Sequence, residues 1–522
     1  MIKVLTNEEM RELDLIASRD YTIPSIILME NASIEVYNFI VEHYGNLENK
    51  NIFIFAGKGN NAGDGFALAR KLYNSMANVF VFSVYDPNEL SGDALTNFNI
   101  LLAICNDKLK ANHLDIVYLN DIEEVFGYAE PDLIVDAIFG IGVKGEIHGL
   151  AKDVIQYCNK SNSPTIAIDI PSGLNGTTGE KCNVAISADM TVTMALPKRG
   201  LLINEGPNLV GKLEVADISI PQHHLFNNRS RTFLLNDEDI KVRMPKRSYD
   251  SHKYSAGKIF VLAGSVGLTG AAALASEAAL YSGSGAVILG IPESLNSIME
   301  EKLTEVMTLP LPETSEKTIS AKALEKIMQQ INWSDVTLIG PGLSQNKETK
   351  MVVKEILSQS SKPLVIDADG LNNLQTDIEL IRNYKGEIII TPHYGELSRL
   401  TNKTTSEIAL NRISIAREFA KEQNVTLVLK GAPTVISDKN GNVYINSTGN
   451  SGMATAGSGD VLAGLTAGFF AQLNNPINAS ILSVFLHGLA GDIAKEEKTI
   501  YSLIAKDILK NIHIAIKRFV AE

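Results

Sequence analysis

From residue 51 to residue 194 the chain repeats one pattern: a short, almost uninterrupted apolar run, then a longer stretch of helical period. The runs at 51–56, 79–84, 132–137, 165–170 and 190–194 are apolar nearly throughout rather than alternating. A strand that reads this way is covered on both faces, which requires a parallel sheet with helices above and below. This predicts a doubly wound α/β architecture. The pattern restarts at KIFVLAG from Lys258 and continues through 286–290, 336–340, 364–367, 388–391, 426–429 and 434–437. Between the two series, residues 221–257 are polar, locally basic and rich in turn formers, and read as a linker. At 522 residues the chain is too long for one hydrophobic core. Two α/β domains are expected, meeting near residue 230, with no repeat joining them.

A formal net charge of −13 and a pI near 5.3 argue against nucleic acid or an anionic membrane as general partners. They say nothing against a small anionic ligand, which needs one local site. The three cysteines, Cys105, Cys158 and Cys182, include no CxxC pair, so a reducing compartment is expected. The opening MIKVLTNEEMRELD turns acidic too early for a signal peptide. Apolar runs such as VLAGLTAGFF fall short of the ~18 residues of a membrane span. The reading is a cytoplasmic protein.

The first apolar run breaks into GKGNNAGDG, residues 57–65, just where a helical pattern begins. At the carboxyl end of a parallel strand, glycines let a ligand approach the backbone, and the free N–H groups of a helix start attract an anion. The spacing G-x-G-x-x-x-G is neither the dinucleotide fingerprint nor a Walker A loop. A glycine turn needed only for packing is the alternative; Asn60, Asn61 and Asp64 are poor packing residues but good oxygen donors. Two further strand ends bear chemistry. VDAIFGIGVKGEIHG places Asp136 before Gly140, Gly142 and Gly145, and AIDIPSGLNG places Asp169, Ser172 and Gly173. An amide oxygen, two carboxylates and a hydroxyl from one sheet edge form a plausible hard-cation site beside an anion loop.

The carboxyl half has a longer small-residue run, NSTGNSGMATAGSGDVLAG, leading into an apolar helix. Successive amides up to Gly459 would point into one space at the helix start, an anion hole for developing negative charge. Asp460, expected as the first residue of the helix, suits that helix end even as simple N-terminal charge. LKGAPT places Lys430 at a strand end; VIDADGLN and TPHYGEL add Asp367, Asp369, Asn372, His393 and Glu396 at two others.

GKGNNAGDG, VDAIFGIGVKG and AIDIPSGLNG, with MENAS after YTIPSIIL, together resemble the amino-terminal domain of NAD(P)H-hydrate epimerases. Ser33 stands where that family usually carries glycine. SHKYSAGKIFVLAGS, GPGL, DADGLN, TPHYGEL, LKGAPT and NSGMATAGSGDVLAG resemble the ADP- or ATP-dependent NAD(P)H-hydrate dehydratases of the ribokinase-like superfamily. The resemblance implies a Rossmann-like epimerase domain over 1–225 and a ribokinase-like dehydratase domain over 235–522. It also implies the substrate, NADH or NADPH carrying added water on the nicotinamide ring, whose C6 hydroxyl exists as R and S epimers. The first domain would interconvert the epimers and the second would dehydrate the S form at the expense of ADP.

Carried over by position, Asn60, Asn61, Ala62, Gly63 and Asp64 would hold the hydrated cofactor. So would the loop of Gly140, Ile141, Gly142, Val143, Lys144, Gly145 and Glu146. Asn61, Asp136 and Ser172 would bind a potassium ion. Asp169 would face the ring as acid/base of epimerisation, with Lys144 as an alternative. In the second domain Asp460 would be the base, and Gly342 and His393 contacts to the hydrated cofactor. Lys430, Gly431, Ala432, Pro433 and Thr434, with Asn450, Gly457, Ser458 and Gly459, would bind ADP, accompanied by magnesium. A homo-oligomer is implied at the family level. Two rivals remain at this point: a ribokinase-like kinase for a vitamin precursor or sugar, fused to a nucleotide-binding domain, and a sensor or scaffold that binds without turnover.

Overall fold

In NIFIFA every residue after Asn51 is buried. Phe53 and Phe55 pack on Phe82 of the neighbouring strand, with ring centroids 5.0 and 5.3 Å apart. Ile54 meets the helix Asn60–Asn74, so the strand is covered on both faces, as its composition requires. The computed structural model describes residues 1–107, 113–143, 145–250 and 252–520. It comprises two units, Lys3–Ser230, and Arg231–Glu522 with Met1–Ile2.

The amino-terminal unit holds the strands Asn51–Ala56, Asn78–Ser83, Leu114–Tyr118, Leu133–Ala137, Thr165–Ile168, Met190–Met194 and Lys212–Ala216. All pair in parallel, and counted along the chain they stand 3-2-1-4-5-6-7 across the sheet. The order reverses between the first and fourth strands, and such a reversal opens the crevice in which open α/β sheets bind ligands. Two glycines let the chain approach the fourth strand closely at this crevice. A Cβ on Gly57 would lie 1.9 Å from the Ile138 carbonyl oxygen, and one on Gly65 would lie 2.7 Å from Ala137 Cβ. The loop and the helix after it therefore sit directly on the fourth strand. Leu114–Tyr118 and Lys212–Ala216 were not anticipated. They are the two edges of the sheet, only partly buried, and so lack the continuous apolar run.

The carboxyl-terminal unit is built on a larger sheet. Its parallel core runs Thr426–Leu429, Ile388–Ile390, Leu364–Ile366, Val336–Ile339, Lys258–Leu262, Ala286–Pro292, Met307–Leu311. Val435–Ser437 and Val443–Ile445 add antiparallel strands beyond Thr426–Leu429. Thr232–Leu234 then pairs in parallel with Val443–Ile445. The helix Ser458–Leu473 closes on the helix Thr269–Tyr281 through a glycine stripe: a Cβ on Gly464 would lie 2.1 Å from the Ala275 oxygen. Among the described residues one helix, Pro476–Lys498, is long and apolar enough to cross a membrane by length and composition, a feature the apolar-run count did not predict; 78% of its apolar window is buried inside the fold.

The stretch read as a linker is not structureless. It contains the helix Gln222–Asn227, the strand Thr232–Leu234 and the helix Asp237–Lys241. The last of these starts with a capping box between Asn236 and Asp239. A three-residue strand is too short to show a period, and its partner lies two hundred residues on.

Candidate functional sites

The glycine loop of the amino-terminal unit opens onto a cavity of about 740 Å³. Its wall includes Asn60, Asn61 and Asp64 from the loop and helix start, Gly140, Ile141, Gly142, Val143 and Glu146 from the loop after the fourth strand, and Asp169. Ala62 and Gly63 are buried beneath this wall rather than in it. Gly63 packs under Met29, where a Cβ would come within 2.6 Å of Met29 Cε, and its N–H donates to Gly59. Gly145 turns the chain with φ of +78°. Lys144 lies outside the described residues. Ser33 is fully buried in the helix Ser25–Tyr44, its hydroxyl donating to the Glu30 carbonyl, so serine is accommodated there.

Asn61, Asp136 and Ser172 meet around the Phe139 peptide. Asn61 Nδ2 donates to Phe139 O at 3.1 Å, and Phe139 N donates to Ser172 Oγ at 2.8 Å. Ser172 donates from Oγ and from N to the two oxygens of Asp136 at 2.6 and 2.7 Å. Burial pushes the Asp136 carboxyl up to about 6, against the pull of the Ser172 hydrogen bonds. No basic side chain pairs with this buried acid among the described residues. An all-oxygen donor set around a carboxylate lacking a counter-ion fits a hard monovalent cation.

Asp169 holds an unusual position. Its φ is +66°, and its N–H donates to Val192 O. Lys198, fully buried, places Nζ 2.5 Å from Asp169 Oδ1, and also donates to Thr193 Oγ1 and Met194 O. Asp14 and Asp64 share the cavity wall with this pair. Burial pushes Asp14 up to about 6, with Lys198 opposing and Asp169 adding. Burial likewise holds Asp64 well above the usual carboxylate range, reinforced by Asp169 and Asp14. Three acids thus surround one ammonium. The sequence reading found neither Asp14 nor Lys198. Asp14 sits on an ordinary amphipathic helix, and the only sign of Lys198 is a lysine ending the apolar MALP run.

In the carboxyl-terminal unit three strand ends and one helix start converge. Lys430 Nζ lies 2.6 Å from Asp367 Oδ1 and 3.8 Å from Glu396 Oε2. Burial works against this ammonium, but Asp367 and Glu396 outweigh it and raise its pKa. A Cβ on Gly459 would lie 3.4 Å from the same Nζ, so the lysine stands at the mouth of the helix Ser458–Leu473. Gly457, the cap of that helix, adopts φ of +92°. Burial pushes Asp460 up to about 7, with Asp367 adding, Lys430 opposing and Glu396 adding. His393 caps the helix Tyr394–Thr401, its Nδ1 accepting from the N–H groups of Gly395 and Glu396. That leaves Nε2 protonated on a half-exposed ring.

The remaining expected residues are braces and turns around this cluster. Gly342 takes φ of +61° and packs on Leu268; its carbonyl accepts from Ser265. Asn450 and Gly449 are tied to Asp492 at 2.9 and 2.8 Å. The Gly431–Ala432–Pro433–Thr434 turn, whose Ala432–Pro433 bond is cis, is held by Arg412, which donates to Ala432 O. Asp369 does not enter the cluster; it accepts from Ser344 N and Asn372 Nδ2. His487, kept neutral because burial lowers it to about 4, donates to Ser458 O at 3.0 Å under the helix start. Asp492, Arg412 and His487 gave no sequence signal, because each is a single polar residue on a helix that packs from behind.

Comparison with known proteins agrees with both halves. A family described as YjeF-related protein N-terminus matches residues 25–200, and one described as NAD(P)H-hydrate dehydratase matches residues 259–513. The chain is 43% identical over 507 residues to a bifunctional NAD(P)H-hydrate repair enzyme of Moorella thermoacetica, covering 97% of this chain and 95% of that one. It is 36% identical to one of Dictyoglomus turgidum, covering 99% and 98%. A ribokinase-like superfamily protein of Enterococcus faecalis aligns in structure with 56% of this chain and 97% of its own, at 25% identity and a TM-score of 0.50.

Proposed function

Because the chain belongs to the family of bifunctional NAD(P)H-hydrate repair enzymes, we propose a division of labour in which each unit performs one half of the repair. The amino-terminal unit interconverts the R and S epimers of hydrated NADH or NADPH, and the carboxyl-terminal unit dehydrates the S epimer. The observation that carries this reading is the presence in one chain of two carboxylate sites. Asp169 sits in a cavity large enough for a dinucleotide end, and Asp460 sits at a helix mouth beside Lys430.

In the first site the loop amides and the helix start at Asn60 suit the pyrophosphate. Asn61, Asp136, Ser172 and the Phe139 carbonyl would hold potassium, which would supply positive charge next to that pyrophosphate. Asp169 then faces the ring as the acid/base: it takes the C6 hydroxyl proton as the C6–N1 bond opens to an aldehyde and N1 gains a proton, and in reverse N1 closes on the opposite face of that aldehyde while the proton returns to its oxygen.

In the second site the chemistry answers a leaving-group problem, since hydroxide leaves poorly at neutral pH and phosphate leaves well. Asp460 takes the C6 hydroxyl proton while that oxygen attacks the β-phosphorus of ADP; the bridging P–O bond breaks and AMP departs. The amides of Gly457, Ser458 and Gly459, with Lys430 above them, stabilise the charge on the transferring group, at ~3–4 kcal/mol per well-placed donor. Loss of phosphate and of the C5 proton restores the ring double bond. Gly431–Thr434 and Asn450 border the nucleotide, His393 and Gly342 the hydrated ring. Magnesium would screen the phosphate charge when bound. We propose ADP rather than ATP as the co-substrate, a cytoplasmic homo-oligomer, and no nucleic acid or membrane partner, in keeping with the formal net charge of −13.

The test supplies acid-generated NADH hydrate with ADP, with ATP, or with neither, and follows recovery of reduced nicotinamide absorbance. Recovery from the whole epimer mixture is expected with ADP. Recovery from the S epimer alone would leave the first unit a binder. Stable phosphorylated product without recovery would make the second unit a small-molecule kinase.

A further inference from the structure

We infer that Lys198 is a positioning residue of the epimerisation site, fixing which of the two Asp169 carboxylate oxygens works on the hydrated ring; this rests on the epimerase reading above. The geometry is one-sided. Three donors, Lys198 Nζ, Thr193 Oγ1 and Met194 N, all bind Asp169 Oδ1, at 2.5, 3.3 and 3.2 Å. Among the described residues none donates to Oδ2, although Asp169 lines the cavity. A carboxylate saturated on one oxygen and open on the other presents a single basic lone-pair direction, the preorganisation a proton transfer needs.

Lys198 is itself built in. Its side chain is fully buried, and two further acceptors, Thr193 Oγ1 and Met194 O, fix the ammonium. Its peptide is clamped by Leu5, whose N–H donates to Pro197 O and whose carbonyl accepts from Arg199 N. Such a buried ammonium is costly without a function or a partner, and Asp169 is the only acid bound to it among the described residues.

The electrostatics explain why this cation is needed. Asp14 from the helix Asn7–Asp20 and Asp64 from the helix Asn60–Asn74 face the same pair, and both repel a charge on Asp169. The ammonium offsets that repulsion, lying 2.5 Å from Asp169 Oδ1 and opposing the shifts of both other acids. Asp14 and Asp64, pushed up by burial and by Asp169, hold protons longer.

The test uses the full chain and a pure R epimer without nucleotide, with R-to-S conversion followed by chromatography across substrate concentration. Dehydration of the S epimer with ADP calibrates the amount of folded protein. Lys198→Met should lower kcat about 100-fold and leave KM within about threefold, since the carboxylate loses its fixed direction while the rest of the cavity wall stays. Lys198→Arg should recover most of kcat. Added to Asp169→Asn, Lys198→Met should cost less than about twofold further, because its effect passes through Asp169. An unchanged kcat in Lys198→Met, or full multiplication of the two losses in the double variant, would overturn the assignment. A wild-type protein that dehydrates the S epimer but never converts R would instead remove the epimerase reading itself.

Discussion

Lys430 Nζ stands 2.6 Å from Asp367 Oδ1, 63 residues away in the chain, and above the Gly459 position at the start of the helix Ser458–Leu473. Asp367 is 1% exposed and Glu396 is 5% exposed. One ammonium therefore serves two buried carboxylates while standing at the start of that helix. Lys430→Met should leave both acids without a counter-ion. Breaking such a buried pair from one side costs about 3 kcal/mol or more. Urea denaturation should show that loss, and Asp367→Asn combined with Lys430→Met should recover part of it. A single variant as stable as wild type would mean that water reaches this cluster.

Asp460 should give the dehydratase its pH dependence. With its pKa pushed up to about 7 by burial and Asp367, the proton-accepting form declines below that pH. We expect kcat/KM for S-epimer dehydration to fall tenfold per unit on the acid side of about 7, and Asp460→Asn to lose at least about 100-fold in kcat. R-to-S conversion in the same variant reports on the other unit.

The same shift has a stability consequence of known sign. A carboxyl whose folded pKa exceeds its unfolded value binds more protons when folded, so stability falls as pH rises from about 4 through about 7. Asp460→Asn removes that loss. The variant should therefore melt above wild type at pH 8 and near it at pH 4, as calorimetry can read. Equal melting shifts at both pH values would place the destabilisation elsewhere.

Gly459 separates packing from function. A Cβ there meets only Lys430 Nζ, at 3.4 Å, with the Lys430 Cδ farther off at 4.0 Å. The helix should tolerate alanine with little change in melting temperature. A methyl at the mouth would displace the transferring phosphoryl by about 1 Å, which can cost about 100-fold in rate. Gly457→Ala, by contrast, should destabilise, because φ is +92° and its Cβ would strike Leu274 at 2.6 Å.

Potassium should stabilise the amino-terminal unit as well as activate it. Replacing potassium by tetramethylammonium at constant ionic strength should lower the melting temperature and slow R-to-S conversion. Asp136→Asn should make melting indifferent to the exchange, because the carboxylate that draws the cation is gone. A wild-type melting curve unchanged by the exchange would remove the cation from Asn61, Asp136 and Ser172.

The sequence by itself determined the two parallel sheets, since NIFIFA and KIFVLAG are apolar on both strand faces and only a doubly covered sheet buries both. It also determined which glycine-rich loops stand at strand ends, because glycines and helix starts are local features a reader can count. Asn61, Asp136 and Ser172 could each be named from their own loops. What joins those loops could not. Lys198 reaches Asp169 only because strand Met190–Met194 lies beside strand Thr165–Ile168, and Lys430 reaches Asp367 past the one intervening strand Ile388–Ile390. The edge strands were hidden because half-exposed strands carry no continuous apolar run. Arg412, His487 and Asp492 were hidden because a bracing residue needs only a partner in space and leaves no spacing in the chain. Pairings and pKa values are properties of distance and burial, and those exist only once the sheet has put remote strand ends side by side.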